Sequence, residues 1–342
     1  MIKLTPPMGW NSWNTYGHNI NEALIKETAD AMVDTGLLAA GYDYLVIDDC
    51  WSERQRDENN RIVPCKEKFP NGMKSVADYV HSKGLKFGMY SCAGNYTCAV
   101  YPGSFEYEFI DAATFAEWGV DFLKYDYCFR PYWQQGHILY KRMGFALENC
   151  GRDILFSACS WGVDETHKWI KETGAHMWRS TGDINDSWES IKTLAQKQID
   201  LQPYNGQGCF NDMDMLVVGM YGKGNVALIG CTDDTNKDII AINQDPAGRQ
   251  PYLTDKNPNN MSWAKPLDGG DIALGFFNLT DSNQCPFIPF DNIGLNRSTG
   301  KALHLTNLWT GEDLGVHKDI YRAPVIAPHG CMVLRGKLVD AK

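Results

Sequence analysis

The sequence predicts an α/β protein, a TIM-type (β/α)8 barrel at residues 1–264 followed by a C-terminal antiparallel β-sandwich domain at 265–342. Three observations carry this. Short, nearly continuous apolar runs alternate with amphipathic segments over the first two-thirds of the chain: Tyr44–Ile47, Lys86–Tyr90, Phe122–Tyr125 and Ile154–Ala158. Such runs read as parallel strands covered on both faces. They recur at intervals of roughly 25–40 residues, as expected when about 250 residues build eight β/α units. Lastly, almost every run ends in polar or aromatic residues, which a barrel gathers on one face and an open sheet does not.

The elements follow in order. In Asn21–Gly36, Ile25, Ala29, Met32 and Val33 are assigned to one helical face. Gly36, Gly41 and Gly84 mark helix ends before strands. Beyond about Leu267 the texture changes. Asp271–Leu279 and the stretch around Cys331–Leu334 alternate, with turn signals at Gly269-Gly270, Thr310-Gly311 and His329-Gly330 between them. That is the pattern of a small antiparallel β domain.

Composition limits the function. The chain has 342 residues, is 44% apolar and carries a formal net charge of -10. That is enough for one large core and a small second domain, and the charge argues against nucleic acid or anionic membranes as partners. No stretch of about 18 uninterrupted apolar residues occurs, so no membrane span is expected. No basic region followed by an apolar run opens the chain, so the expected location is cytoplasmic, or secreted if a leader has already been removed. Eleven cysteines, without a C-x-x-C pair, point away from structural zinc. The eight His show no metal-binding spacing, and neither a phosphate loop nor a nucleophile elbow occurs. No metal or organic cofactor is expected.

The strand ends hold the candidate chemistry. Asp126 closes Phe122-Leu-Lys-Tyr-Asp126. A carboxylate there is often a helix cap, but Lys124 lies two residues earlier on the same strand face and is expected to keep Asp126 ionised. Asp48 and Asp49 are adjacent, so at most one points directly inward; the alternative is a solvated loop pair. Arg179 and Asp183 place a cation and a carboxylate near one strand end, and burial is expected to keep Asp183 protonated as a general acid. Cys98 and Cys128 are either a disulfide or two reduced thiols. Aromatic residues make up 12% of the chain, and an aromatic face stacks well on a sugar ring.

Taken together the motifs resemble glycoside hydrolase family 27, the α-galactosidases and α-N-acetylgalactosaminidases, over nearly the full length. The matching stretches include Met8-Gly-Trp-Asn-Ser-Trp13, Gly41-Tyr-Asp-Tyr-Leu-Val-Ile-Asp-Asp-Cys-Trp51, Lys124-Tyr-Asp126, Trp178-Arg179 with Asp183, and Asn211-Asp-Met-Asp-Met215. The resemblance implies a retaining exo-α-glycosidase with Asp126 as nucleophile and Asp183 as acid/base. It implies that Trp13, Asp48, Asp49, Tyr90, Lys124, Arg179 and Asp214 bind the sugar, and that Cys98 and Cys128 form a disulfide beside the site. The expected partners are terminal α-galactosides or α-N-acetylgalactosaminides, with a homo-oligomer left open.

Two departures from the family pattern bear on function. Cys159-Ser160-Trp161 has Ser160 where galactosidases often carry Glu. The smaller side chain leaves room for a 2-acetamido group, so an α-N-acetylgalactosaminidase is the alternative. In addition, only Asp233-Asp-Thr235 separate segments that family members join through a longer stretch containing an apolar strand, the eighth of the barrel. The eighth strand is therefore expected to be deleted or replaced. A non-catalytic galactose-binding protein is the second alternative.

Overall fold

Seven parallel strands hydrogen-bond in chain order: β1 (Gly9–Asn11), β2 (Tyr44–Val46), β3 (Lys86–Cys92), β4 (Phe122–Asp126), β5 (Leu155–Ala158), β6 (Met177–Arg179) and β7 (Phe210–Asp212). The computed structural model describes residues 5–215, 236–255, 257 and 259–341. The helices are α1 (Trp13–Tyr16), α2 (Glu22–Asp34), α3 (Leu37–Ala40), α4 (Gly72–Ser82), α5 (Glu108–Trp118), α6 (Gly136–Glu148), α7 (Trp188–Lys197) and α8 (Lys237–Asn243). Neighbouring helices α2, α4, α5 and α6 pack side by side in that order. This is the curled parallel sheet of a TIM-type barrel, seen over seven strands. The expectation of a missing eighth strand falls on residues outside those described.

The helices follow their sequence signals closely. Asn21 caps α2, its side chain accepting a hydrogen bond from the Leu24 N–H at 2.9 Å. Ile25, Ala29 and Met32 are buried as the periodicity requires. Val33 is not: it is 39% exposed, because eight residues at about 100° each carry it some 80° round the helix from Ile25.

The strand register decides which side chains point into the barrel. Val46 pairs with Gly88, Gly88 with Phe122, and Phe122 with Leu155. Tyr44, Val46, Phe122 and Leu155 form one buried apolar cluster, with Met177 packed against it. Gly88 is required in this layer, since a Cβ there would sit 2.7 Å from Val46 Cγ2 and 3.1 Å from Phe122 Cβ. Strand side chains alternate with period two. The inward positions above this apolar floor are therefore Asp48, Tyr90, Lys124, Asp126 and Arg179.

Contacts divide the chain into two compact units. One runs to Ile184 and takes in the segment from Gly208; the other combines Asn185–Gln207 with the C-terminal portion. The C-terminal portion holds a six-stranded antiparallel sheet and a two-stranded one. The larger has the order β13 (Asp313–His317), β12 (Lys301–Asn307), β15 (Cys331–Asp340), β10 (Ile272–Asn278), β9 (Asn260–Pro266), β8 (Tyr252–Asp255); the smaller pairs β11 (Phe287–Pro289) with β14 (Ile320–Arg322). Leu274, Phe276, Leu303, Leu305 and Leu334 of the large sheet pack with Ile288 and Tyr321 of the small one in one buried cluster. The sheet begins at Tyr252, ahead of the change in sequence texture near residue 265, because β8 and β9 pair within it. Among the described residues no helix is long and apolar enough to cross a membrane.

Candidate active site

Asp126 is the last residue of β4 and is buried. The backbone N–H of Tyr127 donates to its Oδ1 at 2.9 Å, and the Tyr90 hydroxyl donates to its Oδ2 at 2.9 Å. Two fixed donors thus hold the carboxylate in one orientation. Burial raises its pKa above the ordinary aspartate value; the Lys124 charge and the two hydrogen bonds oppose this without cancelling it. Lys124 thus favours the ionised form of Asp126 as expected, but burial outweighs it. The direct partner of the Lys124 ammonium is Asp48 Oδ2, at 2.7 Å, and Lys124 reaches Asp126 only through space.

Asp48 and Asp49 are both 2% exposed, which removes the solvated-loop reading. Their neighbours differ, as strand alternation requires. Asp48 faces inward, where Asn11 Nδ2 donates to it at 2.8 Å and Lys124 pairs with it. The Ser12 hydroxyl accepts from the Asp48 N–H at 3.0 Å, tying the end of β2 to that of β1. Asp49 instead takes the N–H groups of Cys50 at 2.7 Å and of Ala99 at 3.0 Å. Burial raises its pKa against those bonds. Trp13, at the start of α1, is half-buried, and its N–H donates to Asn11 Oδ1 at 2.9 Å.

At the end of β6, Arg179 is buried and links two carboxylates. Its Nη2 lies 2.7 Å from Asp183 Oδ1 and 2.8 Å from Asp214 Oδ2. Asp214 follows β7 in a left-handed backbone conformation, φ 110°, a costly geometry for a residue with a Cβ. The N–H groups of Ile184 and Met215 fix its carboxylate at 2.7 Å each. Burial pushes the Asp214 pKa up, and Arg179 pulls against it. Asp183 departs from expectation. Its side chain is 82% exposed, because it sits on the turn beyond β6 and leans back on Arg179 four residues earlier.

At the end of β5, Cys159 and Ser160 are buried and Trp161 is half-buried. Arg179 Nη1 donates toward Cys159 Sγ at 3.7 Å. The Ser160 hydroxyl is 2.6 Å from Thr166 Oγ1, and the residue is 0% exposed. Trp161 takes a left-handed φ of 57°, turning the chain sharply off the strand.

Cys98 and Cys128 form a disulfide with Cα atoms 5.2 Å apart and a sequence separation of 30. It fastens the loop after β3 to the end of β4, and the Tyr90 hydroxyl is 3.6 Å from Cys98 Sγ. With Asp126 these sulfurs are the group of metal-ligand types that comes together among the described residues. Their bond to each other leaves no thiolate to ligate an ion. Closing a loop of this length is worth about 3–4 kcal/mol in the chain-entropy treatment. A Cys98→Ser, Cys128→Ser double variant is therefore expected to unfold at a clearly lower temperature in a thermal scan. An unchanged midpoint would mean that the disulfide does not constrain the unfolded chain.

All the predicted site residues, Trp13, Asp48, Asp49, Tyr90, Cys98, Lys124, Asp126, Cys128, Cys159, Ser160, Trp161, Arg179, Asp183 and Asp214, fall on the strand ends β1–β7 or the turns just beyond them. Asn11 and Ser12 went unassigned, although they fix Asp48. Both lie inside the Met8–Trp13 motif, which was the available signal.

The Melibiase family model described as "Alpha galactosidase A" matches residues 5–228, and that of the "Alpha galactosidase C-terminal beta sandwich domain" matches 260–335. "Alpha-galactosidase 3" of Arabidopsis thaliana is 43% identical over 348 residues, covering 92% of this chain and 76% of the relative. The crystal structure of alpha-galactosidase I from Mortierella vinacea is similar with a TM-score of 0.91 and 29% identity, over 97% of both chains. That of the Saccharomyces cerevisiae alpha-galactosidase with raffinose gives a TM-score of 0.89 and 27% identity, over 98% of both.

Proposed function

Because the chain belongs to the melibiase, or alpha galactosidase A, family, we propose that it is a retaining exo-α-galactosidase removing terminal α-linked D-galactose by double displacement. The observation that carries this reading is Asp126: a buried carboxylate, held by Tyr90 and Tyr127 at the end of β4, with the Arg179-held Asp183 beyond β6. Strands β4 and β6 are separated by β5, so their axes lie about 10 Å apart. Retaining glycosidases hold their two carboxyls roughly 5–5.5 Å apart, which is the separation this reading requires of Asp126 and Asp183.

In this mechanism Asp126 attacks the anomeric carbon while Asp183 protonates the glycosidic oxygen. The aglycone leaves, Asp183 then takes a proton from water, and the water displaces Asp126 with the anomeric configuration retained. The exposure of Asp183 suits this role, since it must meet first the aglycone and then water. The bound substrate supplies the covering that the loop does not. Asp48, Asp49 and Lys124 offer acceptors and a donor for the sugar hydroxyls, and Trp13 offers a ring.

The alternative of N-acetylgalactosamine rested on room beside Ser160. Ser160 is fully covered and its hydroxyl is bonded to Thr166, which favours galactose over the acetamido sugar. The disulfide favours an oxidising compartment as the working place, rather than the cytoplasmic one.

The test uses 4-nitrophenyl α-galactoside and 4-nitrophenyl α-N-acetylgalactosaminide with the same preparation, following the released sugar by proton NMR. The galactoside is expected to be cleaved at least about tenfold faster, with the α-anomer appearing first. Preference for the acetamido sugar would restore the alternative. Binding of galactose without turnover would make the protein a lectin-like module.

A further inference from the structure

The loop that follows Asp126 presents aromatic surface that the catalytic residues leave unused. Tyr132 is 91% and Trp133 66% exposed, the two most exposed large apolar side chains among the described residues. Ordinarily such rings are buried.

The loop is anchored beside the candidate site at both ends. On one side, the Arg130 guanidinium lies 4.3 Å from the Tyr127 ring centroid and pairs with Asp164 at 3.2 Å. On the other, Gly136 packs so closely on Tyr127 that a Cβ would sit 2.4 Å from its hydroxyl oxygen. Tyr127 is the residue next to Asp126. Trp133 is three residues from each anchor, so it stays within about 10 Å of both. Between the anchors, Pro131 is buried and its carbonyl accepts from the Gln134 N–H at 3.1 Å, closing a turn. Exposure here is not looseness.

A second pair of rings stands at the same rim. Phe129 and Tyr96 meet edge to face, centroids 6.2 Å apart, and are 54% and 49% exposed. Phe129 holds a left-handed φ of 46°, an uncommon and costly state for a bulky residue. Its carbonyl accepts from the Asn95 N–H at 3.2 Å. The Cys98–Cys128 disulfide joins the same two loops. Tyr132 and Trp133 are likewise edge to face, at 5.0 Å. An edge-to-face pair leaves a ring face open, so each pair offers one stacking surface.

We propose that these two ring pairs form an aglycone platform on which the sugar units beyond the terminal galactose stack. The proposal rests on the galactosidase reading and adds what it leaves unspecified. A saccharide is the occupant because the rings are interleaved with hydrogen-bonding groups, Arg130, Gln134 and Gln135, rather than with aliphatic side chains. Pyranose units present both apolar C–H faces and hydroxyls, and two separated ring pairs suit more than one unit.

The experiment compares kcat/KM for stachyose and for α-galactosyl fluoride, whose leaving group is too small to touch the platform. In Tyr132→Ala, Trp133→Ala and the double variant, the stachyose-to-fluoride ratio is expected to fall at least about fivefold, with the loss mainly in KM. Trp133→Phe, which keeps a ring, is expected to recover much of it. A ratio unchanged in all variants overturns the platform, as does a parallel fall for both substrates. Failure of the unaltered protein to release fluoride would instead remove the galactosidase reading, and the platform with it.

Discussion

Asp126→Ala is expected to lower kcat/KM for an aryl α-galactoside by at least about a thousandfold, some 4 kcal/mol of transition-state stabilisation, while the fold persists. The first half follows from the absence of a substitute. Tyr90 and Tyr127 converge on this carboxylate, and the nearby Asp48 is already engaged with Lys124 and Asn11. The second half follows from the sign of its pKa shift. A carboxylate whose pKa is raised by burial binds its proton more tightly folded than unfolded, so it lowers stability as pH rises from the unfolded value through the folded one. Removing it takes that cost away at neutral pH, leaving the Tyr90 hydroxyl and one N–H to find other acceptors. Activity and stability should therefore separate. Azide offers a further readout, because it can enter the space left by the carboxylate and displace the aglycone once, giving the β-galactosyl azide. Retention of a tenth of the activity, or an α-azide, would end the assignment of Asp126 as nucleophile.

Much of this site could be read from residue order because strand alternation is a local rule. Phe122, Lys124 and Asp126 share a face, so finding an apolar residue at the floor and two charged ones above it requires no coordinates. The same rule separated Asp48 from Asp49. What resisted reading was non-local. Lys124 was matched to Asp126, two residues away, yet its partner is Asp48, 76 residues earlier in the chain. Exposure was also misjudged where it depends on the path of a turn: Asp183 was expected to be buried, but the chain carries it out beyond β6. For Ser160 the opposite holds, since a short side chain suggested open space, yet the residue is fully covered and its hydroxyl is bonded to Thr166. Val33 shows the limit within a single helix, where one more residue of the apolar stripe rotates out of contact.

The Lys124–Asp48 pair sets the second large effect. Its side chains are 14% and 3% exposed, and breaking a buried pair leaves a charge without compensation, at a cost of about 3–5 kcal/mol. Lys124→Met is expected to show that loss as a lower urea midpoint. Burial works against the Lys124 charge, but Asp48 and its neighbours outweigh it and raise its pKa. The stabilisation is therefore present below the unfolded lysine pKa, throughout the neutral range, and is lost only as pH rises through the folded value. Catalysis should respond with a definite sign. Lys124 is the strongest influence lowering the Asp126 pKa, and Asp48 raises it. Removing the lysine leaves more Asp126 protonated at a given pH, so the acid limb of kcat/KM moves to higher pH. Asp48→Asn removes the opposing charge, so in whatever activity remains the limb moves to lower pH. If the double variant regains part of the stability lost in Lys124→Met, the pair interacts directly, as a double-mutant cycle measures. Limbs that move together, or not at all, would mean that the charge reaching Asp126 comes from elsewhere.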